Sequence, residues 1–347
     1  MAGTGTGLAG AVDAYLGDVR DRVVGTLLRD LPDLAPAGLA GLVSSYPSRP
    51  GKALRPALCL AACGVLGGDG DRALNSAVAL ELFHNAFLIH DDIQDESEQR
   101  RGGPTLHAQL GTAAAINVGN ATNLVGLRRL MENRALLGSQ VAWRIIQETE
   151  LMMRHSIEGQ AIELRWIADN ACDLDVDDYY RMCLKKTSWY TCIYPCRVGA
   201  LVARQGTGEP TGFDHYGWYL GAAFQIQDDL LNITGDYDAY GKEICGDLWE
   251  GKRTVMMIHL IRTLRGAERA RLVAFLGRPR AGRDAAGVAW VRDRMVAAGS
   301  LDVARGYARQ LAAAAAREAE DALGAAPPSP HREFLLALPA YMIERDR

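Results

Sequence analysis

The sequence has no apolar run approaching the ~20 residues needed to span a bilayer. Its first ten residues, MAGTGTGLAG, lack the basic start and apolar stretch of a secretory signal. The expectation is a cytoplasmic protein without a transmembrane segment. Cysteine is scarce too: seven in 347 residues, an odd number that suits reduced thiols better than a disulfide framework. Cys59/Cys63 and Cys192/Cys196 are each spaced to share a helix face. Neither pair has a second pair beside it at zinc-site spacing, so they read as small buried apolar side chains. A basic surplus is missing as well. With 38 Lys and Arg against 42 Asp and Glu the net charge is −4, which argues against nucleic acid as the main partner because a long phosphate footprint would go unneutralised. No stretch alternates convincingly as a strand, and no repeat of fixed period appears, so a solenoid is not expected.

What is present is helix. A hydrophobic fraction of 48% with 23% charged residues is enough to bury a sizeable core. Helical periodicity predicts segments at 8–30, 52–66, 72–98, 139–168, 176–204, 213–233, 253–275, 286–298 and 301–323. The breaks carry turn residues: Gly67 to Gly70, Arg101 to Pro104, Gly206 to Pro210, and Gly277 to Gly282. A Pro-rich linker, 325–331, precedes a short C-terminal helix over 331–343. Helices joined by short loops predict an all-α bundle.

Two acidic clusters stand out. LIHDDIQDESEQRRG places Asp91, Asp92 and Asp95 at the end of a long apolar helix. Asp91 and Asp95, four apart, point the same way and repel each other unless a cation lies between them. One such cluster is often only a solvated helix face. The second, FQIQDDLLN, puts Asp228 and Asp229 on another apolar helix, with Asn232 four residues after Asp228. Two oxygen-only clusters suit a hard cation such as Mg²⁺, held by a few carboxylates, water and substrate phosphates. The absence of His or Cys at ligand spacing disfavours transition metals. His90, adjacent to Asp91, points elsewhere and reads as structural.

Lysine is the rarest charged side chain, and its placement is informative. The five lysines, against thirty-three arginines, lie in PGKALRP (Lys52), LKKTSWYT (Lys185, Lys186), YGKEICGDL (Lys242) and WEGKRT (Lys252). A compact ammonium suits a phosphate oxygen, while Arg grips two oxygens as a fork. Arg55, Arg100 and Arg101 extend the basic set. Together they predict a polyanionic substrate.

In order, GKALRP, HNAFLIHDDIQDESEQRRG, EGQAIEL, KKTSWYT, FQIQDDLLN and GKEICGDLWEGKRT resemble the trans-isoprenyl diphosphate synthase (polyprenyl synthase) family, most closely its geranylgeranyl diphosphate synthases from actinobacteria. The resemblance covers about residues 45–260 and implies that 1–347 form one synthase domain. It further implies mostly antiparallel helices around a deep central cavity, and a homodimer. By the same resemblance, Asp91, Asp95 and Asp228 would bind three Mg²⁺ gripping an allylic diphosphate, with Asp92 and Asp229 beside them. Arg100, Lys186 and Lys242 would hold that diphosphate, and Lys252 would fold over it. Lys52, Arg55, His84 and Arg101 would bind isopentenyl diphosphate, while Thr187 and Gln225 would face the reacting carbons. Two positions depart from the family pattern, Asn120 and Asn232.

The implied reaction follows from electrostatics. Cations stabilise the departing pyrophosphate, the allylic carbon becomes cationic, and the isopentenyl double bond attacks it in a dry site. Pyrophosphate would take the final proton. The resemblance further implies that Phe87 and Ala86, four and five residues before Asp91, and Phe83 a turn deeper, set the product at twenty carbons. A class I terpene synthase would need only one diphosphate site, and a non-catalytic partner subunit would have lost site residues wholesale. The complete second-diphosphate set therefore favours elongation.

Overall fold

The computed structural model describes residues 5–32, 34–235 and 244–344. Among the described residues the strands are two-residue segments only, Gln99–Arg100 paired antiparallel with Gly103–Pro104. All else of regular structure is helical. The helices are α1 Gly5–Arg29, α2 Leu39–Ser45, α3 Leu54–Val65, α4 Gly70–Gln94, α5 Leu106–Leu110, α6 Thr112–Leu137, α7 Ser139–Ala168 and α8 Val176–Cys183. After a π-helical stretch, Leu184–Ile193, come α9 Tyr194–Ala203, α10 Asp214–Thr234, α11 Gly246–Glu250, α12 Val255–Thr263, α13 Gly266–Leu276, α14 Ala285–Ala297, α15 Ser300–Leu323 and α16 Pro330–Glu344.

Caps set several starts. Asp69 accepts from the Asp71 N–H at the head of α4 (2.9 Å), and Asp175 and Asp178 form a reciprocal capping box on α8 (2.9 and 3.0 Å). Asp284 caps α14 through the Gly287 N–H at 2.7 Å. One apolar core joins α1, α3, α4, α6, α9 and α16 around Leu58, Leu80 and Phe334. A second joins α8, α10 and α12 to α15 around Met256, Leu272 and Met295. The Ala-rich α15 buries Ala304, Ala308, Ala312, Ala315 and Ala319 and packs along α10, as a packing helix should.

Four expectations are corrected. The helix predicted over 72–98 ends at Gln94, with Glu96 in the left-handed region at φ 54°. The segment 176–204 is interrupted by the π-helical stretch, and 253–275 is two helices parted at Leu264 and Arg265. Helix α6 was not anticipated. Its apolar residues ring the cylinder, with Val118, Val125 and Leu130 buried and Ile116, Leu124, Leu127 and Met131 exposed, so no single stripe announces it. Gly126 lets α6 close on α4, since a Cβ there would stand 2.9 Å from the Phe83 ring.

The π-helical stretch is also a packing result. A Cβ on Gly159 of α7 would lie 2.3 Å from the Lys186 backbone nitrogen, so only glycine admits the wider turn. Such turns recur at functional sites because they re-aim side chains. This one turns Lys186, Thr187, Tyr190 and Thr191 to one cavity wall.

Candidate active site

That cavity, of about 680 Å³, collects nearly every residue singled out from the sequence. Helix α4 presents one stripe to it, Glu81, His84, Phe87, Leu88, Asp91, Gln94 and Asp95, spaced at three and four residues, and His90, expected to point elsewhere, also reaches the wall. Asp95 is the C-cap, its N–H donating to the Asp91 carbonyl at 2.8 Å. From α10 come Phe224, Gln225, Asp228, Asp229 and Asn232. Both acidic clusters thus lie in the last turns of helices, where the helix dipole is already negative. That placement favours positive charge beside each cluster.

Asp91 and Asp92 part company. Asp91 faces the cavity, its side chain 31% exposed. Asp92, about 100° round the helix, is fully buried, where the Tyr46 hydroxyl donates to Oδ2 at 2.6 Å and the Arg100 Nε to Oδ1 at 2.7 Å. Arg100 is itself buried and lies 3.6 Å from Asp91. Burial opposes its charge, but Asp92 and Asp91 outweigh that and raise its pKa. Arg100 therefore has an internal carboxylate partner and reaches the cavity only beside it.

Asp229 is buried at the edge of the cavity wall. Tyr179 donates to Oδ2 at 2.9 Å and Gln225 Nε2 to Oδ1 at 2.8 Å, while burial holds its carboxyl well above the usual range. Thr187 donates to Gln225 Oε1 at 2.7 Å, joining the π-helical wall to α10. Asn232 Oδ1 accepts the Asp247 N–H at 3.0 Å and anchors α11. An amide oxygen serves there as a carboxylate oxygen would. Asn120 is exposed on α6, whereas Asn123 of the same helix lines the cavity.

The lysines answer the carboxylates. Lys186 is paired with Glu163. Burial works against its charge, but Glu163, Asp91 and Asp95 more than offset this and raise its pKa. Lys252 lies 2.7 Å from Asp95, 2.6 Å from Glu250 and 3.6 Å from Asp247. Burial pushes the Asp95 carboxyl up to about 7, against the pull of Lys252. Lys242 lies outside the described residues.

A second, basic group occupies the same cavity. Arg101 and Gly102, at φ 51° and 73°, are the central residues of the turn between the two short strands, a type I′ arrangement. Arg49 holds this turn by donating to the Arg100 and Pro104 carbonyls, each at 2.9 Å. The turn delivers Arg101 to His84, where its guanidinium lies 3.2 Å from Nε2. Arg55 lies 3.4 Å from the same nitrogen, stacks 4.1 Å over the Tyr190 ring and donates to Thr191 at 2.9 Å. Two guanidiniums on one ring nitrogen require Nε2 to be the acceptor, so Nδ1 carries the proton and meets the Tyr190 hydroxyl. Burial lowers the Arg101 pKa, and the carboxylate acting most strongly on it is the buried Glu81. Lys52 joins the group, 3.2 Å from the Tyr341 hydroxyl.

Of the three residues expected to set chain length, Phe87 lines the cavity, edge-on to Tyr190 with centroids 5.1 Å apart. Phe83 and Ala86 are fully buried and do not appear in the cavity wall. The sequence reading missed Glu163, Tyr190, Asp247, Glu250 and Tyr341. Glu163, Tyr190, Asp247 and Glu250 lie inside the motifs EGQAIEL, KKTSWYT and GDLWEGK, so the letters were in view, but isolated residues carry no spacing signal. Tyr341 lies outside every motif.

Among the described residues no three His, Cys, Asp or Glu side chains converge as a closed metal cage. The donor set still fits Mg²⁺. That ion is ordinarily held by one or two carboxylates plus substrate phosphates, and Asp91, Asp95 and Asp228 offer carboxylate oxygens to one cavity. Asp91, Asp95 and Asp228 are the residues that would hold it. No helix among the described residues is long and apolar enough to cross a membrane.

Comparison with known proteins agrees with this geometry. The Polyprenyl synthetase family model matches residues 37–291. The octaprenyl diphosphate synthase of Escherichia coli K12 is 32% identical over 300 residues, 86% of this chain and 87% of that protein. The geranylgeranyl diphosphate synthase of Saccharolobus solfataricus is 32% identical over 235 residues, 67% of this chain and 70% of that one. A crystal structure of geranylgeranyl pyrophosphate synthase from Corynebacterium glutamicum, complexed with isoprenyl diphosphate and magnesium, superposes with a TM-score of 0.84 at 25% identity, over 96% of this chain and 99% of that one. The fold is the all-α isoprenoid synthase bundle, and the chain belongs to the polyprenyl synthetase family of trans-prenyltransferases.

Proposed function

We propose that the chain is a Mg²⁺-dependent prenyltransferase that joins isopentenyl diphosphate to dimethylallyl, geranyl or farnesyl diphosphate, with geranylgeranyl diphosphate as its main product. We further propose that residues 1–347 form one synthase domain working in the cytoplasm. The observation that carries this reading is the presence of two distinct polar groups in one cavity. Asp91, Asp95, Asp228, Lys186 and Lys252 suit a cation-gripped allylic diphosphate. Lys52, Arg55, Arg101 and His84 suit a second diphosphate without a metal. A cyclase would have no use for the second set. Incubation with each diphosphate alone and with both, followed by mass spectrometry, tests the reading. Lengthened prenyl diphosphates only when both are present are expected; a cyclised hydrocarbon from the allylic substrate alone would overturn it.

Mg²⁺, when bound, would neutralise charge growing on the departing pyrophosphate. The protein's own groups do the rest. Lys186 and Lys252 add positive charge at the leaving group, Arg55 and Arg101 fix the isopentenyl diphosphate, and Phe87, Leu88, Met182 and Phe224 keep water from the allylic cation. Lys52→Ala and Arg101→Ala are each expected to weaken isopentenyl diphosphate binding about 10- to 150-fold, from the loss of a charge-assisted contact worth about 1.5–3 kcal/mol. Separate KM measurements check this. Impairment confined to the allylic substrate would remove the distinction between the two sites.

Chain length is read from Phe87, the one of the three positions on the cavity wall. A helical turn of ~5.4 Å is close to one isoprene unit, so Phe87→Ala is expected to lengthen the products. Behind the wall, Phe83 packs against Gly126 of α6. Ala86→Phe is expected to shift the product toward fifteen carbons by pushing this wall inward. An unchanged product distribution in both variants would place the floor elsewhere.

A homodimer is proposed from the outer face of α6 and α7. Leu124 and Met131, each 62% exposed, and Trp143, 61% exposed, lie there with Ile116 and Leu127. Such a surface is costly in water. The double substitution Leu124→Glu with Met131→Glu is expected to yield monomers in sedimentation velocity, whereas a monomeric wild-type protein would refute the dimer.

A further inference from the structure

The sequence motifs account for both diphosphate groups without the last helix, yet α16 reaches the cavity. Pro339 lies inside it and has no N–H for the Leu335 carbonyl one turn back. That carbonyl instead accepts from the Tyr216 hydroxyl at 3.0 Å, so the chain supplies a dedicated partner for the break. Beyond Pro339 the final turn places Tyr341 and Met342 in the cavity wall, and Leu16 of α1 joins them.

Tyr341 makes two directed contacts. Its hydroxyl accepts from the Lys52 ammonium at 3.2 Å and donates to Asp13 Oδ1 of α1 at 2.6 Å. Its ring centroid lies 5.2 Å from the same ammonium, within cation–π reach. Docking of α1 on α16 has other contacts besides this pair. Tyr15 already joins the two helices through His331 at 2.8 Å and by stacking on Phe334, with centroids 4.3 Å apart. The Tyr341 hydroxyl is thus available for a role beyond holding the helices together. A carboxylate on its proton makes its oxygen a better acceptor for an ammonium. A lysine stem is costly to immobilise, so a lysine already held in place binds its anion more tightly.

We propose that Tyr341, oriented by Asp13, is a positioning residue for Lys52 and so sets the affinity of the second diphosphate group for isopentenyl diphosphate. This rests on the assignment of Lys52 to that substrate. The test uses the full-length protein and calorimetric titration of isopentenyl diphosphate and, separately, of a non-reactive allylic thiodiphosphate with Mg²⁺. Tyr341→Phe is expected to weaken isopentenyl diphosphate binding about fivefold, less than the full worth of a hydrogen bond from a charged donor because Lys52 itself remains, and to leave allylic affinity unchanged. In turnover, the KM for isopentenyl diphosphate should rise by the same factor while kcat holds. Asp13→Asn should act in the same direction with smaller size, and Tyr341→Phe should add nothing in a Lys52→Ala background. Unchanged isopentenyl affinity in Tyr341→Phe, equal weakening of both ligands, or a full additional loss in the Lys52→Ala background would each overturn the proposal. A wild-type protein that binds both ligands and joins neither substrate pair would refute elongation, while the affinity pattern would still decide the role of Tyr341.

Discussion

Asp91→Ala and Asp228→Ala are each expected to lower turnover on the order of 10²- to 10⁴-fold. Each removes a carboxylate from the cavity wall, and Asp91 is the part-exposed member of its pair, its 3.6 Å approach to Arg100 being longer than the bond Asp92 makes. A ligand to a cation that stabilises a leaving group acts mainly in the transition state, where several kcal/mol are at stake and about 1.4 kcal/mol is tenfold. The loss should therefore fall on kcat more than on KM. Circular dichroism should be unchanged in both variants. Wild-type rates in either, or activity that survives exhaustive chelation, would exclude the metal assignment. Asp229→Asn offers a contrast. Asp229 is held by Tyr179 and Gln225, and an amide can keep one of those contacts, so a smaller effect is expected.

The second large effect is on stability. Arg100→Met is expected to destabilise the fold by about 3–5 kcal/mol, because it leaves the fully buried Asp92 carboxylate without its charged partner. The Tyr46 hydroxyl would remain, but one neutral donor does not offset a buried charge. Because Arg100 and Tyr46 together tie the turn bearing Arg101 to α4, isopentenyl diphosphate affinity should fall as well. Urea unfolding measures the first effect. Replacing both partners, Arg100→Met with Asp92→Leu, should restore most of the stability, since the buried charge is then gone. A single-variant loss below about 0.5 kcal/mol would mean that the pair is not coupled to folding.

The helical class, the two acidic clusters and the five scarce lysines could be read from the chain because each is a local pattern. A 3.6-residue period, a four-residue carboxylate spacing and a rare residue type need no tertiary knowledge to see. The same reading set Asp92 beside Asp91 at the metals and gave Arg100 and Arg101 one diphosphate each, without showing that Asp92 and Arg100 pair with each other. The fold separates each pair of neighbours. Adjacent helical residues point about 100° apart, so Asp91 faces the cavity while Asp92 meets Arg100 in the core. In the turn that follows, Arg101 adopts a left-handed conformation and swings to His84.

Helix α6 escaped notice because its apolar residues face two partners, α4 on one side and the surface on the other. Glu163, Asp247 and Glu250 escaped because a lone carboxylate acquires meaning only from the lysine placed against it. What the sequence by itself determined was the helical class, the family and most of the chemical inventory of the cavity. The tertiary structure decided which member of each pair serves the cavity and which holds the fold, and it brought Tyr341 within 3.2 Å of Lys52 across 289 residues of chain. No spacing rule spans that separation, since the approach depends on the last helix packing against α3, whose leading segment carries Lys52.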